Sequence, residues 1–204
     1  SLSSNGQLLF FASDRPGGFG GSDIWYTERG DDGKWRKPKN VGPMINTSRN
    51  ERSPFLHTDS KTLYFSSAGH DGMGGMDIFY SKLGEKGWQK PVNIGYPINT
   101  EMDEVDFFVN LKGDIAYFSS NHIDGKDWNI YQFELHEEAR PRNMLLIKGE
   151  IKDVEGDKIE AIVQIRDTAS NIIAETKVNE YSGKYAIAAE IKKDGQEELI
   201  LNVK

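Results

Sequence analysis

Apolar and aromatic residues in this chain come in short runs broken by glycine-rich or charged turns. Leu8-Leu9-Phe10-Phe11-Ala12, Leu63-Tyr64-Phe65 and Ile115-Ala116-Tyr117-Phe118 have the length of buried strands and are too short for helices. Each is followed by a polar stretch and then by a second run: Asp23-Ile24-Trp25-Tyr26, Asp77-Ile78-Phe79-Tyr80 and Asn129-Ile130-Tyr131. The pattern predicts strands at 7–13, 23–28, from Trp35 onward, and at 51–57, 62–67, 77–82, 106–110, 115–120 and 128–135. Segments 14–22 and 68–76 are too rich in glycine to be helical, because each glycine costs about 1 kcal/mol relative to alanine. Pro54 suits a strand end, an edge or a bulge, since it cannot donate to a ladder.

The runs recur. Asp23, Asp77 and Asn129 hold matching positions, at steps of 54 and 52 residues. Trp35, Pro38, Asn40, Gly42, Ile45, Asn46, Thr47 and Glu51 reappear 53 residues later as Trp88, Pro91, Asn93, Gly95, Ile98, Asn99, Thr100 and Glu104. Self-similarity at this period marks repeated supersecondary units. Each unit supplies about four short antiparallel strands, and such sheets repeated radially build a propeller of typically 4–8 blades. The expected fold is all-β: a partial β-propeller of about three four-stranded blades, followed by a small β-sandwich. The first blade reads as truncated, because nothing matches segment 51–57. The matched aromatics (Phe11, Phe65, Phe118; Trp25, Phe79, Tyr131) are expected between neighbouring blades. Three units fall short of a ring, so the sequence reads as an internal piece of a longer chain, or as one member of a ring built from several chains. A native protein of only 23.0 kDa would refute the first alternative.

Segment 136–143, His136-Glu137-Glu138-Ala139-Arg140-Pro141-Arg142-Asn143, is charged and carries a proline. The expected division is propeller repeats over 1–135, a linker over 136–145 and a second domain over 146–204. In the last part, five alternating strands separated by turns at 169–171, 181–183 and 193–195 predict the sandwich.

Composition narrows the function classes. The chain has 204 residues, 25 Lys+Arg against 32 Asp+Glu, and a formal net charge of -7. This argues against a basic nucleic-acid footprint and against a polybasic membrane-surface cluster. No run approaches the roughly 18 apolar residues of a spanning helix, and the first residues have no basic or apolar leader pattern. Without cysteine there are no disulfides and no thiolate metal sites, and the compartment is left open.

The stretches Leu-Tyr-Phe-Ser-Ser (63–67), Gly-Gly-Met-Asp-Ile-Phe (74–79), Trp-Gln-Lys-Pro-Val-Asn-Ile-Gly (88–95) and Ile-Asn-Thr (98–100) resemble WD40-like propeller repeats related to TolB. More specifically, they resemble the propeller of multidomain OmpA-family envelope proteins. That resemblance implies helical repeats, a propeller, a carboxypeptidase-regulatory-like sandwich and a peptidoglycan-binding domain, in that order. Residues 148–163 and Ser182-Gly183-Lys184-Tyr185-Ala186-Ile187 are similar to two strands of that sandwich. The helical repeats and the peptidoglycan-binding domain have no counterpart in the sequence, so no peptidoglycan site can be carried onto any residue here.

Candidate chemistry is sparse. Asp71, Asp77 and loop carbonyls offer hard oxygen ligands for Ca²⁺. Against this, the third copy carries Asn129 and Lys126, and a hairpin carboxylate ordinarily accepts backbone hydrogen bonds while glycines supply positive φ. A sialidase-like site needs an arginine cluster, and Arg15, Arg49 and Arg52 hold non-equivalent positions. His70 and His122 match each other and suit metal ligation or pH sensing only if a partner carboxylate exists. No Gly-x-Ser-x-Gly nucleophile motif occurs. The expectation is therefore no enzyme, no cofactor and no metal. Loop-tip residues Phe19, His70, Met73, Met76 and His122 are the candidate partner contacts.

The leading functional expectation is a non-enzymatic scaffold of an outer-membrane-associated, peptidoglycan-linked OmpA-family protein. It would sit in the periplasm, bind envelope proteins and serve secretion or assembly machinery. It would reach peptidoglycan only through a domain outside this sequence. The alternative is a carbohydrate-binding module of an envelope glycan-handling protein, with Trp and Tyr as stacking faces.

Overall fold

A computed structural model of the chain describes residues 1–30, 32–121, 126–192 and 198–204. Among these residues the structure is all-β. Several small antiparallel sheets occur, none closed, and the one helical turn is a 3-10 turn at Glu137–Ala139. No helix among the described residues is long and apolar enough to cross a membrane. The chain divides into two compact units, one of residues 1–3 and 7–141, the other of residues 4–6 and 142–204.

The first unit contains three sheets. The first has β1 (Leu8–Ser13), β2 (Asp23–Glu28) and β3 (Lys39–Asn40), in that order. The second runs β4 (Glu51–Leu56), β5 (Thr62–Ser67), β6 (Asp77–Gly84), β7 (Gly87–Trp88), with β8 (Val92–Asn93) also on β6. The third comprises β9 (Glu104–Val109), β10 (Ile115–Ser120) and β11 (Asn129–Glu134), with β10 central.

The sequence repeat is a repeat of register. Phe11 faces Trp25, Phe65 faces Phe79 and Phe118 faces Tyr131, each as the same cross-strand pair of its hairpin. Ser13, Ser67 and Ser120 likewise face Asp23, Asp77 and Asn129. Even the irregularity recurs. The β4–β5 pairing shifts between Arg52 and Phe55, at Pro54, where Ser53 has φ 49°, and Asp106 in β9 has φ 55°. These two residues are 53 apart, and the Ser53 hydroxyl donates to the Asp106 carboxylate at 2.6 Å.

Two apolar layers hold the sheets together. Phe10, Ile24 and Ile45 pack with Leu56, Leu63, Phe65 and Phe79 between the first and second sheets. Tyr64, Ile78, Tyr80, Ile94 and Ile98 pack with Phe107, Val109, Ala116 and Phe118 between the second and third. The Phe65–Phe79 and Phe118–Tyr131 pairs are stacked within these layers, at 6.1 and 5.4 Å between ring centroids. Each fully buried side chain of this size contributes about 1.5–3 kcal/mol.

Three features differ from the sequence reading. Residues 1–3 pair with β1, through Ser3 N–H to the Leu8 carbonyl and Phe10 N–H to the Ser1 carbonyl, both at 2.8 Å. They stand where the end of β4 stands on the second sheet: Leu2 bridges Leu9 as Leu56 pairs with Leu63. Trp35 makes only an isolated bridge to Arg29, and the strand that follows is Lys39–Asn40. Within segment 136–145, residues 136–141 belong to the first unit, where Ala139 is buried in the second apolar layer beside Leu135. The Tyr64 hydroxyl fixes that turn by donating to the Ala139 carbonyl at 2.5 Å. Burial raises the Tyr64 phenol well above its usual range, so it remains a donor.

The second unit has a two-stranded sheet of β12 (Met144–Glu150) and β15 (Lys184–Glu190). Its other sheet orders β14 (Ile172–Lys177), β13 (Ile162–Arg166) and β16 (Ile200–Val203). Val163, Ile165, Ile187 and Ala189 form its core. Gln164, between the two core positions of β13, is buried as well. It donates to Glu175 and accepts from Arg166, so its amide is satisfied. Gly149 faces Tyr185, and a Cβ there would lie 2.7 Å from the tyrosine ring.

Candidate functional site: the glycine-rich hairpin ends

The β1–β2 and β5–β6 hairpins end in loops 14–22 and 68–76, each closed by one aspartate. Asp23 accepts N–H bonds from Phe19 at 2.6 Å and Gly20 at 3.0 Å, and a third bond from the Asn40 amide at 2.7 Å. Asp77 accepts from Met73 at 2.9 Å and Gly74 at 3.2 Å. Burial pushes the Asp77 carboxyl above its usual range, against the lowering effect of these N–H bonds, and the charge of Glu104 adds to the rise. Backbone donors thus converge on these carboxylates, the reverse of what a cation site presents. Asp71 is exposed on the loop. Among the described residues no cluster of three or more His, Cys, Asp or Glu is placed to hold a metal ion.

The loop glycines act by close approach. Gly17 alone of those at 17–21 and 72–75 has positive φ, at 94°. A Cβ on Gly74 would sit 2.3 Å from the Glu101 backbone, and one on Gly20 would sit 2.0 Å from the Arg49 carbonyl. The loops therefore lie directly on the connections that lead into β4 and β9. Gly21 and Gly75 N–H groups donate to the carbonyls of Arg49 and Met102, at 2.9 and 3.0 Å.

Behind the loops lies a duplicated polar wedge whose role the sequence alone did not reveal. Asn46 accepts from Ile24 N–H at 2.8 Å and donates to the Ile24 carbonyl and to Asn40, both at 2.9 Å. Asn99 treats Ile78 and Asn93 the same way, with all three bonds at 2.8 Å. Buried Glu51 accepts from Thr47 N–H, the Thr47 hydroxyl and the Ser67 hydroxyl; Glu104 accepts from Thr100 twice and from Ser120. Asn46 and Asn99 stand in for a ladder partner, satisfying the amide and carbonyl of a buried strand residue. Each glutamate ties the connection after one sheet to the central strand of the next. The signal in the sequence was the recurrence of Ile-Asn-Thr and Glu between apolar runs.

The predicted contact residues take distinct places. Phe19 and Met73, 54 residues apart, occupy the same position on consecutive loops and are each 49% exposed. Met76 is half-buried at the foot of its loop. His70 turns inward: its ring lies 5.9 and 5.2 Å from those of Phe65 and Phe79, and Nε2 is 2.8 Å from the Ile45 carbonyl. His122 lies outside the described residues. Trp128, at the foot of the third hairpin and 51% exposed, joins Phe19 and Met73 as an apolar group at a hairpin end that sequence reasoning left out.

The arrangement presents apolar side chains on short, internally braced loops, without a convergent acid, base and nucleophile among the described residues. A scan of the chain against models of known protein families finds no match, and a comparison with curated proteins finds none either.

Proposed function

We propose that the first unit is a run of β-propeller blades and the second a small sandwich of the carboxypeptidase-regulatory kind. Together they act as a non-enzymatic protein-interaction scaffold in an OmpA-family envelope protein of the periplasm, associated with the outer membrane. The blade reading is supported by three hairpins in one register, two apolar layers of matching composition and a duplicated polar wedge. The sandwich reading is supported by two small antiparallel sheets around a shared apolar core.

The observation that carries the interaction reading is the pair Phe19 and Met73. Two consecutive loops hold an apolar side chain half in solvent at one repeated position, on backbone clamped by Asp23 and Asp77. Apolar anchors on rigid loops lose little conformational freedom on binding, which is how interface hot spots reach high affinity. The partner is accordingly a protein with an apolar groove or strip. Immobilised chain is used to capture envelope proteins, in parallel with Phe19→Ser/Met73→Ser. A protein held by the wild type and lost from the double variant supports the proposal. Equal recovery by both overturns it.

A further inference from the structure

In two of the three sheets of the first unit, the outer edge of the hairpin's second strand is covered. Lys39–Asn40 pairs with β2 and Val92–Asn93 with β6. The contact is the same each time. The Val41 and Ile94 N–H groups donate to the carbonyls of Ile24 and Ile78, both at 3.1 Å, and those of Arg36 and Gln89 donate to Glu28 and Lys82, at 2.8 and 3.0 Å. Ladder groups alternate along a strand, so the outward backbone groups of β2 are those of Ile24, Tyr26 and Glu28. Their register counterparts on β11 are Ile130, Gln132 and Glu134, opposite Ser119, Tyr117 and Ile115.

No strand pairs with this side of β11 among the described residues, and all three residues are exposed. The course of the chain leaves the edge open. After β2 and β6 it doubles back to supply an outer strand. After β11 it places Leu135 and Ala139 in the second apolar layer and passes into the second unit. An exposed edge presents ready ladder partners and is ordinarily blunted by proline, lysine or a bulge. β11 has neither residue and pairs with β10 without a register shift. Its one charge is Glu134, whose side chain is 76% exposed beside Arg140. Glu134 holds the register position of Glu28, and the Glu28 carboxylate pairs with Lys39 of the covering strand at 3.2 Å.

We propose that the outer edge of β11 takes an extended, basic segment of another protein, which adds to the third sheet as a fourth strand and carries Lys-Asn-apolar-Gly with a second asparagine six residues after the first. Charge selects this occupant: Glu134 is the anion that Lys39 meets on the first sheet, and segment 35–41 carries Arg36, Lys37 and Lys39 with no acidic residue. Asn129 holds the position of Asp23 and offers an amide oxygen to the first asparagine, as Asp23 accepts from Asn40 at 2.7 Å. The second asparagine spans the Ile130 N–H and carbonyl, as Asn46 spans those of Ile24. Backbone pairing supplies the affinity and these side chains the selectivity. One internal bond has no counterpart. The hydroxyls of Thr27 and Ser81 donate to the Arg36 and Gln89 carbonyls, and Phe133 stands at that position on β11, so the added strand binds more weakly than the internal ones.

The probe is a fluorescent synthetic peptide of residues 35–47, titrated with the full chain and read by anisotropy, while amide hydrogen exchange locates the site. The wild type is expected to bind it saturably and to gain protection at the Ile130 and Gln132 amides. Gln132→Pro removes an outward N–H that the β10 ladder does not use, and raises Kd at least about tenfold. Glu134→Lys alters an exposed side chain, sets a cation against the peptide lysine and weakens binding at low salt. A peptide with Asn40→Ala and Asn46→Ala keeps its charge and loses at least about tenfold in affinity. Circular dichroism verifies folding, and Glu134→Lys with the altered peptide carries the test if Gln132→Pro does not fold. No saturable binding, protection on β2 or β6 in place of β11, or a Kd unchanged by either chain variant in its folded form or by the altered peptide overturns the proposal. None of these outcomes bears on capture by Phe19 and Met73.

Discussion

Asn99→Ala tests whether the polar wedge is structural. In the folded chain the Asn99 amide makes three hydrogen bonds of 2.8 Å, two to the backbone of Ile78 and one to Asn93. Ile78 and Asn99 are both fully buried, so water cannot replace the amide without opening the layer. Truncation leaves the Ile78 N–H unpaired, at about 1–3 kcal/mol, while the Ile78 carbonyl keeps its bond from the Ile94 N–H at 3.1 Å. The expected loss is about 2–3 kcal/mol, a sizeable part of the roughly 5–15 kcal/mol that stabilises a domain. Asn46→Ala should cost the same within about 1 kcal/mol, since its bonds to Ile24 and Asn40 duplicate those of Asn99. Asn99→Asp keeps the acceptor for the Ile78 amide but turns a carboxylate oxygen toward the Ile78 carbonyl and Asn93. It should rescue nothing at neutral pH. Urea titration followed by tryptophan fluorescence reads the first unit alone, because all four tryptophans (Trp25, Trp35, Trp88, Trp128) lie within it. A loss below about 1 kcal/mol in both alanine variants would refute the reasoning.

Further outcomes follow from individual contacts. The Asp77 carboxyl has its folded pKa raised by burial, so the folded state binds that proton more tightly than the unfolded chain. Below the unfolded value of 3.8 the group costs nothing; as pH rises through the raised folded value the wild type loses stability. Asp77→Asn, which copies Asn129 of the third hairpin, should therefore gain on the wild type across that window and hold its lead above it, as paired urea titrations at several pH values would register. Tyr64→Phe leaves the Ala139 carbonyl without its donor and should cost about 1–2 kcal/mol by the same fluorescence assay. Gly149→Ala drives a methyl into the Tyr185 ring and should destabilise the second unit by about 1–3 kcal/mol, read by near-ultraviolet circular dichroism of its tyrosines.

Much of this architecture was legible because the sequence repeat and the strand register have the same origin. Asp23, Asp77 and Asn129 each open the second strand of a hairpin, and the aromatic two residues later (Trp25, Phe79, Tyr131) then faces the aromatic of the first strand (Phe11, Phe65, Phe118). The remainder lacked a pattern long enough to read. Ser1–Ser3 forms three main-chain bonds to β1, over too short a stretch to register as a strand. The charged segment after Leu135 hid the burial of Ala139, since a single small residue between Glu138 and Arg140 carries no periodicity. Glycine at 72, 74 and 75 is ambiguous in a sequence: positive φ and close approach demand the same residue, and here the second demand holds. The fate of His70 depended on distant partners, the Phe65–Phe79 pair and the Ile45 carbonyl, which drew a loop histidine inward. Phe19 and Met73 were legible as loop tips, but their equal exposure required the fold.

The interaction reading is tested most directly by measuring, at matched concentrations, how strongly a captured envelope protein binds the wild-type chain and Phe19→Ser/Met73→Ser. Both substitutions replace half-exposed side chains, so stability should change by no more than about 0.5 kcal/mol per site. If the two tips anchor the partner, Kd rises at least about tenfold, the equivalent of about 1.4 kcal/mol. An unchanged Kd with the fold intact would contradict the account.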